Sequence, residues 1–136
     1  MQITIIGWNY EGAAFRGIES STDEQTVDLT LIGDEQDIVN FVLEQFSYGS
    51  DEAITSVADL AAGYENEDIP NGDGCGGVIR LMDNDRETLF THGDADDILS
   101  FDKGQPIIMT VDFSKTPYDT LGRDVLNNMV AEHITG

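Results

Sequence analysis

The sequence predicts an α+β fold: a single acidic domain over 1–136, with an antiparallel or mixed sheet and about three to four helices packed against it. Three observations point there. A chain of 136 residues matches one domain of ordinary size, long enough to bury a core but short of two packed units. Hydrophobic residues make up 40% of it and mean hydropathy is -0.23, so the many acids do not read as a disordered tail. Strand-like and helix-like stretches are mixed rather than regularly alternating, which argues against a parallel βαβ sheet.

The elements follow in order. Gln2 to Trp8 and Thr26 to Ile32 run apolar or alternate with β-branched residues, as strands do, with Val27, Leu29 and Leu31 facing the core. A further strand at Ala13 to Ile18, weakened by Gly12 and Gly17, would make the first third a meander. Over Asp34 to Phe46, Ile38, Phe41, Val42 and Phe46 form one apolar helical face, and Asp34, Glu35 and Asp37 crowd the first turn. A second helix is expected after Tyr48-Gly49. Ser50 would be its N-cap, Asp51 and Glu52 its first turn, Ile54, Val57, Leu60 and Ala61 its inner face, and Gly63 its end. Glu65 to Gly77, with Pro70 and Asn71-Gly72, reads as a loop. Val78 to Met82 and Thr88 to Thr91 form a hairpin with an acidic tip at Asp83-Asn84-Asp85. A short helix begins at Asp94, a strand runs from Pro106 to Phe113, and Thr116-Pro117 opens a last helix with Leu121, Val125 and Met129 inward and His133 near that stripe.

Several function classes are disfavoured. No apolar run approaches the roughly 20 residues of a membrane span, and Met1 to Tyr10 has no basic leader, so a cytoplasmic protein is expected, in the host cytoplasm if the chain is viral. A lone cysteine, Cys75, makes neither an internal disulfide nor a Cys-rich metal site. Gly72 to Gly77 has the letters of a dinucleotide fingerprint, but it precedes a strand rather than opening a helix, and it carries Asp73. Cys75 with His92 or His133 could form a thiol–base pair. Acidic surroundings raise a thiol's pKa, however, and favour an unreactive Cys75. Asp83, Asp85, Glu87 and Asp94 fall at the first, third, fifth and twelfth positions of a calcium loop, but Thr88 stands where that loop needs glycine and strands flank it. No nucleophile, base and orienting group assemble into an active site, so no enzyme activity, cofactor or metal is expected.

Charge is the informative property. The net charge is -21, with 27 acids against 6 bases. Solubility needs a net charge of only about 2 to 8. Between Arg16 and Arg80 there is no Lys, Arg or His. Asp34, Glu35, Asp37, Asp51, Glu52, Asp96, Asp97 and Asp119 fall in expected first helical turns, where a carboxylate meets the positive end of the dipole. The other acids have no such structural reason.

A chain of 14.9 kDa exposes roughly 7,000 Å², hence one net charge per about 330 Å² if evenly spread. Duplex DNA presents one per about 110 Å². Imitating DNA therefore requires the acids to gather on one face. In bulk charge character the chain resembles phage-encoded DNA-mimicking antagonists of CRISPR or restriction systems. That resemblance implies a non-enzymatic inhibitor or decoy that occupies the basic surface of a nucleic-acid-binding protein or complex, without binding nucleic acid itself. The expected contact residues are Glu65, Glu67, Asp68, Asp73, Asp83, Asp85, Glu87, Asp94, Asp96 and Asp97, and reversing the hairpin acids to Lys should weaken binding with little loss of fold. Two alternatives stand beside it. One is salt adaptation, which the excess of Asp over Glu also suits; the other is an immunity-type binder of a basic toxin.

Overall fold

The computed structural model describes residues 1–9, 25–47, 53–69, 71, 76–93 and 107–115. Period-two alternation builds its centre. β1 (Gln2–Asn9) turns Ile3 and Ile5 to one face, and β2 (Gln25–Ile32) turns Val27, Leu29 and Leu31 to the same face, all of them buried. The two strands pair antiparallel, with Gln2 opposite Ile32 and Asn9 opposite Gln25. β3 (Gly76–Met82) pairs antiparallel with the other side of β1, β4 (Thr88–Thr91) pairs antiparallel with β3, and β5 (Ile107–Asp112) runs parallel to β2. The result is a mixed five-stranded sheet in the order β4-β3-β1-β2-β5.

That order corrects the expected meander. β1 and β2 are direct neighbours, and their outer sides are taken by β3 and β5, so no strand stands between them. Residues 13–18 themselves lie outside the described residues. β3 begins at Gly76 rather than Val78, because Gly77 and Gly76 continue the ladder opposite Trp8 and Asn9, and the Asn71 side chain braces the strand at Val78. Its Nδ2 donates to the Val78 carbonyl and its Oδ1 accepts the Val78 N–H, each at 2.9 Å.

Two helices among the described residues cover the apolar face. α1 (Glu35–Phe46) starts behind an extended Asp34 cap and buries Ile38, Phe41, Val42 and Phe46, as its spacing predicted. Its last aromatic lies over Gly7, where any Cβ would collide with the Phe46 ring. The register of β1 against β3 shifts at that same point, between Ile6 and Gly7. Phe41 meets Phe113, just past β5, edge to face at 5.7 Å.

α2 (Val57–Glu65) differs from expectation at both ends. Its N-cap is Ser56, whose Oγ accepts the Asp59 N–H at 3.0 Å; Ile54 and Thr55 precede the helix, and Ser50, Asp51 and Glu52 lie outside the described residues. Ser-x-x-Asp beats the earlier serine because it satisfies an orphan amide of the first turn, and β-branched Ile54-Thr55 suits extended backbone. Gly63 does not end the helix. It is buried in the last turn, where Ile69 folds back so closely that a Cβ would strike its side chain. The three to four helices expected compare with two here, and those expected from Asp94 and from Thr116-Pro117 lie outside the described residues. The core fills the space between the sheet and the two helices, with Tyr64 stacked on Phe90 at 5.3 Å and its hydroxyl 2.6 Å from Ser47 Oγ.

Candidate functional site

Glu65, Glu67 and Asp68 stand together at the C-terminus of α2. Glu65 is the helix's last residue rather than the start of a loop, and Asn66 caps it by donating to Ala62 O at 2.9 Å. Glu67 then takes φ +61°, the left-handed position where helices favour glycine. The Glu67 N–H donates to Tyr64 O at 3.2 Å and the Asp68 N–H to Gly63 O at 2.8 Å, which satisfies the last carbonyls. A left-handed backbone costs a residue with a Cβ about 1–2 kcal/mol, yet glutamate occupies it. All three carboxylates are exposed and accept no hydrogen bond from a described residue.

Asp83, Asp85 and Glu87 form the tip between β3 and β4. They divide by role. Asp83 Oδ1 accepts the N–H of Asp85 at 2.9 Å and of Glu87 at 3.0 Å, so this half-buried carboxylate builds the turn. Asp85 and Glu87 are exposed, and their carboxylates accept no hydrogen bond from a described residue. Arg86, at φ +60°, reaches away from them to Asp28 on β2, with Nη2 3.2 Å from Oδ2. Reversing all three acids would therefore remove the Asp83 acceptor of two turn amides along with the two exposed carboxylates.

The two groups lie at the two ends of one edge. Val57 and Ala58, at the start of α2, share a groove with Asp83, Asn84 and Leu89; Tyr64, Glu65 and Glu67, at its end, share a cavity with Phe90, Thr91 and His92. α2 therefore runs alongside β4 in the same direction. Both elements are about 13 Å long, at about 1.5 Å per helical and 3.3 Å per strand residue. Asp59, which the sequence reading missed, lies on the exposed side of α2 between the groups. A duplex carries about eight phosphates in that length. Asp59 and Glu65 lie within α2, Glu67 and Asp68 just past its end, and Asp83, Asp85 and Glu87, with Arg86 among them, just before β4.

Counter-charge at this edge comes from Arg86 at the tip, which is paired with Asp28. Neither helix has a basic residue in its last turn, and none occurs in either sequence. The accessible surface of 7297 Å² would give each of 21 evenly spread charges about 350 Å², against about 110 Å² on duplex DNA. Tyr64, beneath the cavity at the far end, is uncharged, since burial pushes its phenol above the ordinary value against the opposing pull of the Ser47 hydrogen bond.

Asp73, Asp94, Asp96 and Asp97 lie outside the described residues, as do Cys75 and His133. Gly76 and Gly77, the last two of the glycine-rich run, belong to β3 and do not open a helix. No described helix is long and apolar enough to cross a membrane. No family model matches this chain, and neither the curated proteins nor the solved structures contain a match.

Proposed function

We propose that the chain is a non-enzymatic acidic inhibitor or decoy, which presents the α2–β4 edge as a nucleic-acid-like surface to a basic groove of a nucleic-acid-handling complex. Defence complexes of the CRISPR or restriction kind fit, with the chain acting in the cytoplasm of the host cell. One observation carries the reading: Glu65, Glu67, Asp68, Asp85 and Glu87 are exposed along one edge and accept no hydrogen bond from any described residue, while the two described helices hold no base. Carboxylates left in this way raise self-repulsion in the fold, and a cationic partner relieves it.

Salt adaptation is a second reading, favoured by the preference for Asp over Glu. One experiment separates the two. The tagged protein is used to capture partners at about 0.1 M salt, with and without excess duplex DNA, and its circular dichroism is followed from low to molar salt. A decoy stays folded at low salt and captures a nucleic-acid-binding complex that DNA displaces. A protein that is unfolded until molar salt is added, and captures nothing, is salt-adapted.

A further inference from the structure

At the hairpin-tip end of the same edge, the surface is not uniformly charged. The first residues of β1, the end of β2, the N-termini of both helices and the β3–β4 tip converge on a groove of about 760 Å³. Its apolar lining comes from Met1, Ile3, Ile32, Val57, Ala58 and Leu89. Met1 is 58% and Leu89 41% exposed, two of the three large hydrophobic side chains among the described residues that stand in solvent. Single exposed apolar residues are ordinary, but two that share a groove with buried Ile3 and Val57 form a patch.

The rim is acidic. Glu35 and Asp83 line it, Asp34 precedes the first, and Asp85 and Glu87 follow the second around the tip. An anionic ligand would seek the amides of a helix N-terminus, but at α2 these are engaged, since Glu35 Oε2 accepts the Val57 N–H at 3.1 Å and Ser56 Oγ accepts that of Asp59, and at α1 Glu35 and Asp37 place negative charge in the first turn. The α-amino group of Met1 likewise donates to Gly33 O at 2.9 Å. What remains offered is an apolar floor with Glu35 and Asp83 in its lining and the Met1 ammonium at its edge, while Arg86 at the tip is turned to Asp28. An amphipathic helix of the opposite character, with apolar anchors on one side and Lys or Arg flanking them, complements both parts.

We infer that this groove docks a basic amphipathic helical segment of the partner, so that the partner is held by an apolar anchor as well as by charge. The inference deepens the decoy reading and rests on it for the partner's basic character. It also separates this surface from DNA itself, which has no apolar anchor site of this form. Recognition of this kind would confer selectivity for one basic protein among many, because a salt-screened charge contact alone discriminates little.

The test uses the full chain, isotope-labelled at its methyl groups, and three synthetic peptides. One is a Leu/Lys helix with leucines at i, i+3, i+4 and i+7, one has serine in place of each leucine, and one has glutamine in place of each lysine. The Leu/Lys peptide is expected to shift the methyls of Ile3, Val57, Ala58 and Leu89. It should outlast the serine peptide as salt rises from about 0.15 M to about 1 M, where the Debye length falls from about 8 Å to about 3 Å. Ala58→Trp and Leu89→Ser, both at exposed positions, should each weaken it at least about tenfold and leave the serine peptide unaffected. Equal binding of the leucine and serine peptides, or shifts only around Glu65–Asp68, would overturn the groove; equal binding of the glutamine peptide would overturn its basic occupant. Groove binding by a protein that captures no DNA-displaceable complex would leave the docking site standing and retire the decoy reading, whereas such capture without groove binding would do the reverse.

Discussion

On the β5 side of the sheet, a carboxylate is part of the fold. Asp112 accepts the Ser114 hydroxyl at 2.6 Å and its N–H at 2.9 Å, and these hydrogen bonds hold its carboxyl below the ordinary range. On the β4 side the acids outnumber such duties. Asp83 builds the tip, but Asp85 and Glu87 beside it, and Glu65, Glu67 and Asp68 at the far end of α2, serve no described contact. The contrast teaches that this protein's negative charge comes in two kinds. One kind satisfies backbone amides and hydroxyls, and its removal costs stability. The other adds repulsion without a folding return, so its removal should spare the fold and affect only what the edge meets.

The strongest way to break that division is to reverse the second kind together. Glu65, Glu67, Asp68, Asp85 and Glu87 all changed to Lys should weaken partner binding by about 3–5 kcal/mol, at up to about 1 kcal/mol for each exposed contact. That is about two to three and a half decades in Kd. Thermal unfolding should be unchanged or shifted upward, because like-charge repulsion falls. A collapse in melting temperature would mean that these acids belong to the first kind, and unchanged affinity with an intact fold would take them out of the contact surface.

Within the tip the comparison sharpens to neighbouring residues. Asp83→Ala removes the acceptor of two amide N–H groups and should destabilise the fold by about 1–3 kcal/mol, read from urea unfolding. Asp83→Asn keeps an accepting oxygen and should recover most of that loss. Asp85→Ala should leave the unfolding midpoint in place.

The sequence made much of this legible where a period sets the structure. Val27, Leu29 and Leu31 alternate, Ile38, Phe41, Val42 and Phe46 share a helical stripe, and each lies where its spacing put it. The tip at Asp83-Asn84-Asp85 was readable from turn residues alone. Other features depend on contacts remote in sequence. The parallel pairing of β2 with β5 joins residues some eighty apart, and nothing near Val27 signals Ile107 as its partner. The misplaced start of α2 came from two serines that both precede acids. Its misplaced end came from treating Gly63 as a stop signal, when its missing side chain makes room for Ile69. The grouping of the acids was half visible. Nearness in sequence joins Glu65 to Asp68 and Asp83 to Glu87, but only the packing of α2 along β4 makes them one edge.

Glu67 offers a smaller and cleaner effect. Its φ of +61° is one glycine adopts without steric cost, so Glu67→Gly should stabilise the protein by about 0.5–1 kcal/mol once the added freedom of the unfolded chain is subtracted. If the carboxylate is there for a partner, the same substitution weakens binding, so stability and affinity move in opposite directions. Isothermal titration beside urea unfolding reads both. A variant that gains stability with no loss of affinity would take Glu67 out of the contact surface.

The smallest effect tests the other kind of acid. Ser114→Ala removes the largest cause of the lowered Asp112 pKa, the side-chain hydrogen bond, and leaves the weaker backbone bond and the Lys115 charge. The Asp112 carboxyl should therefore titrate nearer the ordinary value of 3.8 in the variant, as followed by carboxyl carbon chemical shift. A pKa depressed in the folded state contributes stability that is present above the unfolded value and lost as pH falls through the folded one. The variant should thus lose part of that contribution at neutral pH and show less further loss on acidification through this window. A titration curve for Asp112 that Ser114→Ala leaves in place would mean that the turn does not set its charge, and that the two sides of the sheet differ less than their geometry implies.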